Sequence, residues 1–232
     1  LFRSLDGTFA VVPQARVRWR PLSLLGRQVS VDDLDIPQGR LLRRWRLNPP
    51  DPNAPLLPDI DIHVGRLRIG KLVVERPVVG LAESFSALGR VEIRAGRALV
   101  DLQAAAARGD RMTLLLDAAP DADRFDLKSE LRAPPGGFAD RLTGLGHGAT
   151  VELSGAGTWA RWRGRLAADL APAGGGAPSR VADLSIVGED GRFRVRGELT
   201  PDVLLPEAVV PLVRPALLVD VVAGARGGSL DL

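Results

Sequence analysis

The sequence predicts an all-β fold, an elongated, twisted and antiparallel-rich sheet with a few short helical turns. Short segments along the chain alternate apolar and charged residues, as in residues 91–94 (VEIR) and 192–196 (RFRVR). Because successive side chains of a strand point to opposite faces, each segment makes a strand with one apolar and one charged face. Turn residues separate many of these segments, and no helical periodicity is sustained.

The candidate strands show this alternation or are short apolar runs bounded by turn residues. They cover residues 9–12, 16–20, 29–36, 60–64, 67–74, 91–94, 98–104, 112–117, 125–131, 149–153, 160–170, 181–187, 193–199, 217–221 and 230–232. Short helical turns are predicted at residues 21–25, 137–145 and 206–213. In the second of these, Phe138, Leu142 and Leu145 have the spacing of one apolar helical stripe.

A proline-rich segment divides the chain near its N-terminal end. Residues 48–55 (NPPDPNAP) are typical of a stiff, extended linker. We therefore predict an N-terminal strand group over residues 1–47, a linker over 48–56 and a main sheet over 57–232. The two strand regions form either one continuous sheet or separate groups.

The composition narrows the classes of function. The chain has no cysteine, which excludes disulfides, thiolate zinc sites and cysteine nucleophiles. Its net charge is +3, but the arginines alternate with acidic residues and form no segregated basic patch, a pattern that favours cross-strand ion pairs over a nucleic-acid interface. The most apolar stretch, residues 203–222, is interrupted by prolines and charges, so it does not predict a membrane span.

No catalytic or cofactor site is predicted. His63 takes an outward strand position, His147 lies in a glycine-rich loop, and no Gly-x-Ser-x-Gly element is present. Asp59 and Asp61 lack the further oxygen ligands of a calcium loop. The glycines after residue 143 are not followed by the Lys-Ser/Thr pair of a phosphate-binding loop. We expect a protein that is not an enzyme and needs no metal or cofactor.

Three motifs, in order, resemble the TamB/AsmA-like family of Gram-negative envelope proteins. Residues 17–34 (VRWRPLSLLGRQVSVDDL) are similar to the family's strand, tryptophan and "plsLL" turn near its N-terminus. Residues 57–74 (LPDIDIHVGRLRIGKLVV) resemble its proline-led pair of short strands. Residues 153–166 (LSGAGTWARWRGRL) resemble its G-x-G and W-x-G-x-L element. The family's anchor helix and C-terminal domain are absent, so we expect a segment of a longer protein.

The resemblance implies a β-taco, a long sheet folded into an open groove lined with aliphatic side chains. It also implies a protein tethered to the inner membrane, reaching across the periplasm, that shields phospholipid acyl chains between inner and outer membranes and works with an Omp85-type outer-membrane barrel. The groove-lining residues expected on the alternation pattern are Val29, Val31, Ile60, Ile62, Leu67, Ile69, Val91, Ile93, Leu114, Leu116, Phe125, Leu127, Val151, Leu153, Leu184, Ile186, Phe193 and Val195.

Two alternatives follow from the same residues. The aliphatic side chains are also those that pack a closed sandwich core. The second alternative is a scaffold or chaperone-like module that binds envelope proteins by strand addition at an open sheet edge.

Overall fold

The computed structural model describes residues 2–4, 7–44, 60–158, 160–189, 192–200, 216–226 and 229–231. The chain divides into two compact units, Leu1–Asp117 and Ala118–Leu232. Strands make up 72% of the structure, so the predicted all-β class is confirmed.

The first unit contains six strands and the start of a seventh. They are β1 (Phe2–Ser4), β2 (Gly7–Arg20), β3 (Gln28–Leu41), β4 (Asp61–Val74), β5 (Glu83–Arg94), β6 (Arg97–Ala106) and β7 (Arg111–Ala119). A 3₁₀ helix, Pro21–Gly26, joins β2 to β3, and the one-turn helix α1 (Arg76–Val79) joins β4 to β5. The predicted helical turn at residues 21–25 is thus confirmed, whereas α1 was not predicted.

The second unit is also built of consecutive strands joined by short connections and helical turns. Its strands are β8 (Arg124–Ala133), β9 (His147–Gly157), β10 (Arg161–Pro172), β11 (Ser179–Glu189), β12 (Arg192–Leu199), β13 (Leu217–Arg226) and β14 (Ser229–Asp231). The 3₁₀ helix Pro120–Ala122 precedes β8, and helix α2 (Phe138–Thr143) lies between β8 and β9, inside the predicted turn at residues 137–145. The turn predicted at residues 206–213 lies outside the described residues.

Within each unit, strands that follow one another in the chain are neighbours in the sheet, and the described first and last strands are not paired with each other. Among the strand pairs whose register is described, pairing is antiparallel except between β3 and β4, which run parallel. Parallel neighbours need a long connection in the chain, and residues 42–60 separate β3 from β4. This stretch contains the predicted linker at 48–56, which lies outside the described residues. The strands on either side of it, β3 and β4, pair within one unit.

The strands are longer than the sequence predicts, and two separations predicted from the sequence are wrong. Segments 9–12 and 16–20 belong to the single strand β2, and segments 60–64 and 67–74 belong to β4. In both cases the sheet continues through an irregularity in register, between Val11 and Arg16 in β2 and between Val64 and Leu67 in β4. A bulge absorbs the residue that breaks the alternation, so the strand does not end there.

Tight connections match the local residue types. Ala95 and Gly96, between β5 and β6, have φ angles of 47° and 71°. Positive φ at both central residues is the geometry that matches the twist of a two-residue hairpin. The predicted hairpin of β11 and β12 is also present, with Ile186 opposite Val195 and Glu189 opposite Arg192.

Candidate apolar binding surface

The register of the first unit places apolar side chains in rows across the strands. Directly paired residues project from the same face of a sheet. One row runs Val29, Ile62, Ile93 and Ala98, and the next runs Val31, Val64, Val91 and Val100. Further rows contain Leu34, Leu67 and Leu102, and then Ile36, Ile69 and Ala87. We call this surface the apolar face of the first unit.

A bulge keeps that face continuous. Val64 and Leu67 cannot share a face in a regular strand, because their separation is odd. The register of β4 against β5 shifts between them, with Val64 opposite Val91 and Leu67 opposite Gly89. The shift turns Leu67 back to the side of Val64, so the break in alternation at Gly65 and Arg66 does not interrupt the apolar rows.

The second unit has an equivalent surface, the apolar face of the second unit. Its central row runs Leu153, Leu166 and Leu184 across β9, β10 and β11. Beside it lie the rows Gly155, Gly164, Ile186, Val195 and Val221, and Leu131, Val151, Ala168, Ala182 and Leu199.

The structure places the predicted lining residues on these two faces. In the first unit, Val29, Val31, Ile62, Leu67, Ile69, Val91 and Ile93 belong to the rows, and Ile60 is two positions before Ile62. Leu114 and Leu116 alternate in β7 with Leu115, which is 48% exposed, and with Asp117, which pairs with Arg97. In the second unit the predicted residues are Phe125, Leu127, Val151, Leu153, Leu184, Ile186, Phe193 and Val195, all on its apolar face.

Neither face is covered to the degree expected of a closed core. Among the described side chains, none is less than 2% exposed. The aliphatic residues of the rows are mostly half-buried, and the most buried apolar side chains are largely alanines. A face packed against a second sheet would contain fully buried Val, Leu and Ile residues. The described rows are therefore less covered than a closed core, although Trp162 and Leu170 on the apolar face of the second unit are only 7% and 5% exposed.

The opposite faces carry arginine–carboxylate pairs between neighbouring strands. Arg90 lies 3.0 Å from Asp101, Arg97 contacts Asp117 through two hydrogen bonds of 2.7 Å, and Arg196 lies 3.1 Å from Asp220. Both guanidinium and carboxylate remain partly exposed in each pair. This arrangement fits the cross-strand pairing that the alternation of charges predicts, and it marks these faces as hydrated.

One large aromatic side chain lies flat on the apolar face of the second unit. Trp162 is 7% exposed, and its Nε1 donates a hydrogen bond to the carbonyl of Phe125 at 3.1 Å. The Phe125 and Trp162 ring centroids are 6.0 Å apart. A Cβ atom built on Gly155 or Gly164 would lie 2.0 or 2.3 Å from the indole, so both glycines leave room for the ring.

Sequence reasoning did not include Trp162 among the lining residues. The available signal was the third motif, because Gly155, Trp162 and Gly164 are its defining residues. The structure gives these residues one shared role, in which two glycines from adjacent strands form a shallow seat for one indole ring.

The residues weighed for catalysis are not brought together. His63 lies on the charged face of the first unit, between Ser30 and Glu92 in register. His147 is the first residue of β9, where a loop was predicted, and its Nδ1 is 2.7 Å from the carbonyl of Leu145. Across the described ranges, no group of three or more His, Asp or Glu side chains could hold a metal ion.

No protein-family model, curated protein or solved structure matches the chain. In the part of the chain that the structure describes, no helix is long and apolar enough to cross a membrane.

Proposed function

We propose that the apolar faces bind the acyl chains of phospholipid, and that the chain is a segment of an envelope protein that conducts lipid across the periplasm. The observation that supports this proposal is the set of aliphatic rows on one face of each unit, whose side chains are mostly half-buried and, among the described residues, never fully buried. The TamB/AsmA-like resemblance supplies the setting, with a tether in the inner membrane, an Omp85-type partner in the outer membrane and a periplasmic location.

Hydrophobic burial explains why such a face suits an acyl chain. Each methylene removed from water contributes about 0.8 kcal/mol, so transfer of a whole lipid tail from water to an apolar surface is strongly favourable. Neighbouring side chains within a row belong to adjacent strands, about 4.8 Å apart, and successive rows lie two residues apart along the strands, about 6.8 Å. A tail can move along the rows from one strand to the next while most of its methylenes stay covered, so no step exposes the whole tail.

The charged face complements this role. Arginine–carboxylate pairs such as Arg90–Asp101 and Arg165–Asp183 keep the reverse side of the sheet hydrated. A sheet that was apolar on both faces would aggregate through them. One wet face and one apolar face allow the sheet to remain in water while it holds lipid on one side only.

Mass spectrometry of organic extracts tests the proposal. We expect phospholipid to co-purify with the wild-type chain in near-stoichiometric amount. Leu153→Asp places a carboxylate in the central row and should remove most of the lipid, because an unpaired charge beside acyl chains is strongly unfavourable. Since Leu153 is only half-buried, the carboxylate can be hydrated and the fold should be retained.

Ala156→Asp is the matched control. Ala156 is in the same strand, is exposed and is paired with Arg163 on the charged face. This variant should keep its lipid. A folded wild-type protein free of lipid would contradict the proposal, and so would unfolding of Leu153→Asp, which would indicate a closed core.

The alternative function is a scaffold for outer-membrane protein assembly. One observation favours it: β1 and β14, in the first and second units respectively, each have one neighbouring strand, β2 and β13. An unpaired strand edge offers backbone groups to an added strand. In that case Leu153→Asp would leave partner binding intact, and a proline in an edge strand, β1 or β14, would abolish it.

A further inference from the structure

The connection between β2 and β3 exposes leucines to an unusual degree. Leu22, Leu24 and Leu25 of the 3₁₀ helix Pro21–Gly26 are 78%, 47% and 88% exposed, and no residue of this helix is buried. Leu22 and Leu25 are not part of the aliphatic rows, and neither is buried. We call residues 19–27 the leucine tip.

The leucine tip is a defined structure. Ser23 Oγ lies 2.7 Å from the carbonyl of Arg20 and 2.8 Å from that of Gln28, and it accepts a hydrogen bond from the backbone N–H of Ser30 at 3.3 Å. The backbone N–H of Arg27 donates to the carbonyl of Leu24 at 3.1 Å. These bonds close the base of the tip and hold the leucines outward, so their exposure follows from the local fold.

Cationic and aromatic residues flank the exposed leucines in the sequence. Arg16, Arg18, Arg20 and Arg27 lie within residues 13–31, which contain no acidic residue. Trp19 is 46% exposed. Three carboxylates of β3 lie beside these arginines: Asp32 is 3.0 Å from Arg20, Asp35 is 3.5 Å from Arg16, and Asp33 is opposite Arg18 in register. The side chains of Arg16 and Arg20 are still about 70% exposed, so each can make further hydrogen bonds.

We propose that the leucine tip inserts into the surface of a phospholipid bilayer that contains anionic headgroups. Leucines on a fixed turn can enter the acyl boundary, a tryptophan prefers the interface between headgroups and hydrocarbon, and guanidinium groups bind phosphate. Apolar insertion and electrostatic attraction together determine the strength of such interfacial contacts. Leu22 and Leu25 are separate from the aliphatic rows, whereas Trp19 is paired with Val31 and continues one row towards the tip. Insertion of the two leucines is therefore additional to acyl-chain binding.

Sedimentation of the full chain with vesicles tests this contact. Vesicles of phosphatidylethanolamine and phosphatidylglycerol should bind the chain more strongly than vesicles of phosphatidylcholine, and added salt should weaken the binding. Leu22→Ser/Leu25→Ser should lower the partition coefficient by about tenfold or more, because two leucines lose their transfer into hydrocarbon.

Two further variants make the result specific. Leu88→Ser/Leu115→Ser removes two leucines that are 52% and 48% exposed on the strands of the same unit, and it should bind vesicles like the wild type. Leu153→Asp should sediment with vesicles like the wild type even though little phospholipid is extracted from it. Lipid extraction therefore tests the conduit proposal, and vesicle sedimentation tests the leucine tip separately.

Equal sedimentation of the wild type and Leu22→Ser/Leu25→Ser would overturn the inference. A second result would also overturn it: the wild type binds no vesicle but self-associates in analytical ultracentrifugation, and Leu22→Ser/Leu25→Ser does not self-associate. That result would identify a second copy of the chain as the occupant of the tip.

Discussion

Trp162 shows how single residues shape the apolar face of the second unit. Its indole lies over Gly155 and Gly164, where any side chain would occupy the same space, and Phe193 lies against Gly188 on the neighbouring strand pair. Glycine usually weakens a strand because it adds entropy to the unfolded chain and packs nothing. Here the missing Cβ atoms admit an aromatic ring, which covers the backbone that the glycines leave bare.

Gly155→Ala should therefore be destabilising because of Trp162. The nearest atoms to a Cβ at Gly155 are all in the indole, the closest at 2.0 Å. We expect overpacking to reduce the free energy of unfolding by about 1–3 kcal/mol, measured by urea denaturation. In a Trp162→Leu background the same substitution should reduce the free energy of unfolding much less. This coupling would show that the effect of Gly155→Ala depends on the indole.

Gly174→Ala is the control for the glycine change itself. No atom lies within 4 Å of a Cβ built there, so the variant should unfold like the wild type. An equal cost of Gly155→Ala with and without Trp162 would contradict the proposed seat for the indole and would indicate a backbone effect.

The face of most single residues was predictable from alternation. Val29, Ile62 and Ile93 fall on one side because each occupies the apolar position of an alternating segment, and the pairing then aligns them. Trp162 was not predictable in this way, because its neighbours Arg161 and Arg163 fit any exposed strand. Its position depends on two glycines, one of them in another strand, and such a contact needs the register.

At the scale of elements, helix α2 is held by one carboxylate. The backbone N–H groups of Gly136, Gly146 and His147 donate to Asp140 at 2.7, 2.6 and 3.2 Å. Gly144 ends the helix with a φ of 71°. Hydrogen bonds from these amides, above all that of Gly136, lower the pKa of Asp140 below its usual value, together with the proximity of His147.

The lowered pKa predicts a pH-dependent loop. A carboxylate whose pKa falls on folding stabilises the folded loop at pH values above the unfolded-state pKa, and the stabilisation is lost as the pH falls through the lower folded-state value. Amide protection of Gly146 and His147, corrected for intrinsic exchange, should hold at neutral pH and decline in acid below the usual aspartate pKa of 3.8.

Asp140→Ala supplies the comparison for this loop. The variant should show weak protection of the same amides at every pH, while the hairpin between β5 and β6 is unchanged. If protection in the wild type persisted undiminished through acid, the carboxylate would not be the group that holds the loop.

Element boundaries and directions were less predictable than element type. The alternation identifies β4 as strand, but Gly65 and Arg66 break the pattern, and only pairing with β5 shows that the strand continues as a bulge. The parallel pairing of β3 and β4 has no local signal, because both strands have the same residue pattern that antiparallel neighbours have. Long-range pairing decides it.

At the scale of the whole molecule, each unit depends on strand pairing more than on a closed core. Backbone hydrogen bonds join the strands, and aliphatic side chains of paired residues are neighbours within each row. Ion pairs such as Arg180–Asp169 join neighbouring strands on the hydrated face. Exposed pairs of this kind contribute about 0–1 kcal/mol each. A sheet stabilised in this way does not require its aliphatic rows to be fully buried, and among the described side chains none is.

If the apolar faces bind acyl chains as proposed, the stability of the protein should depend on the ligand concentration. A molecule that binds the folded state alone raises the free energy of unfolding by RT ln(1 + [L]/Kd), about 2.7 kcal/mol at a concentration one hundred times Kd. We therefore expect lysophosphatidylcholine, added below its micelle concentration to delipidated protein, to raise Tm in calorimetry. The rise should increase with the lipid concentration and should also occur in Ala156→Asp.

Leu153→Asp should show little or no rise under the same conditions, because the carboxylate occupies the central row of the face that the acyl chain covers. A matching rise in this variant would mean that the lipid binds elsewhere. No rise in the wild type would remove the thermodynamic basis of the proposed conduit, since a face that gains nothing from covering by an acyl chain cannot retain lipid against water.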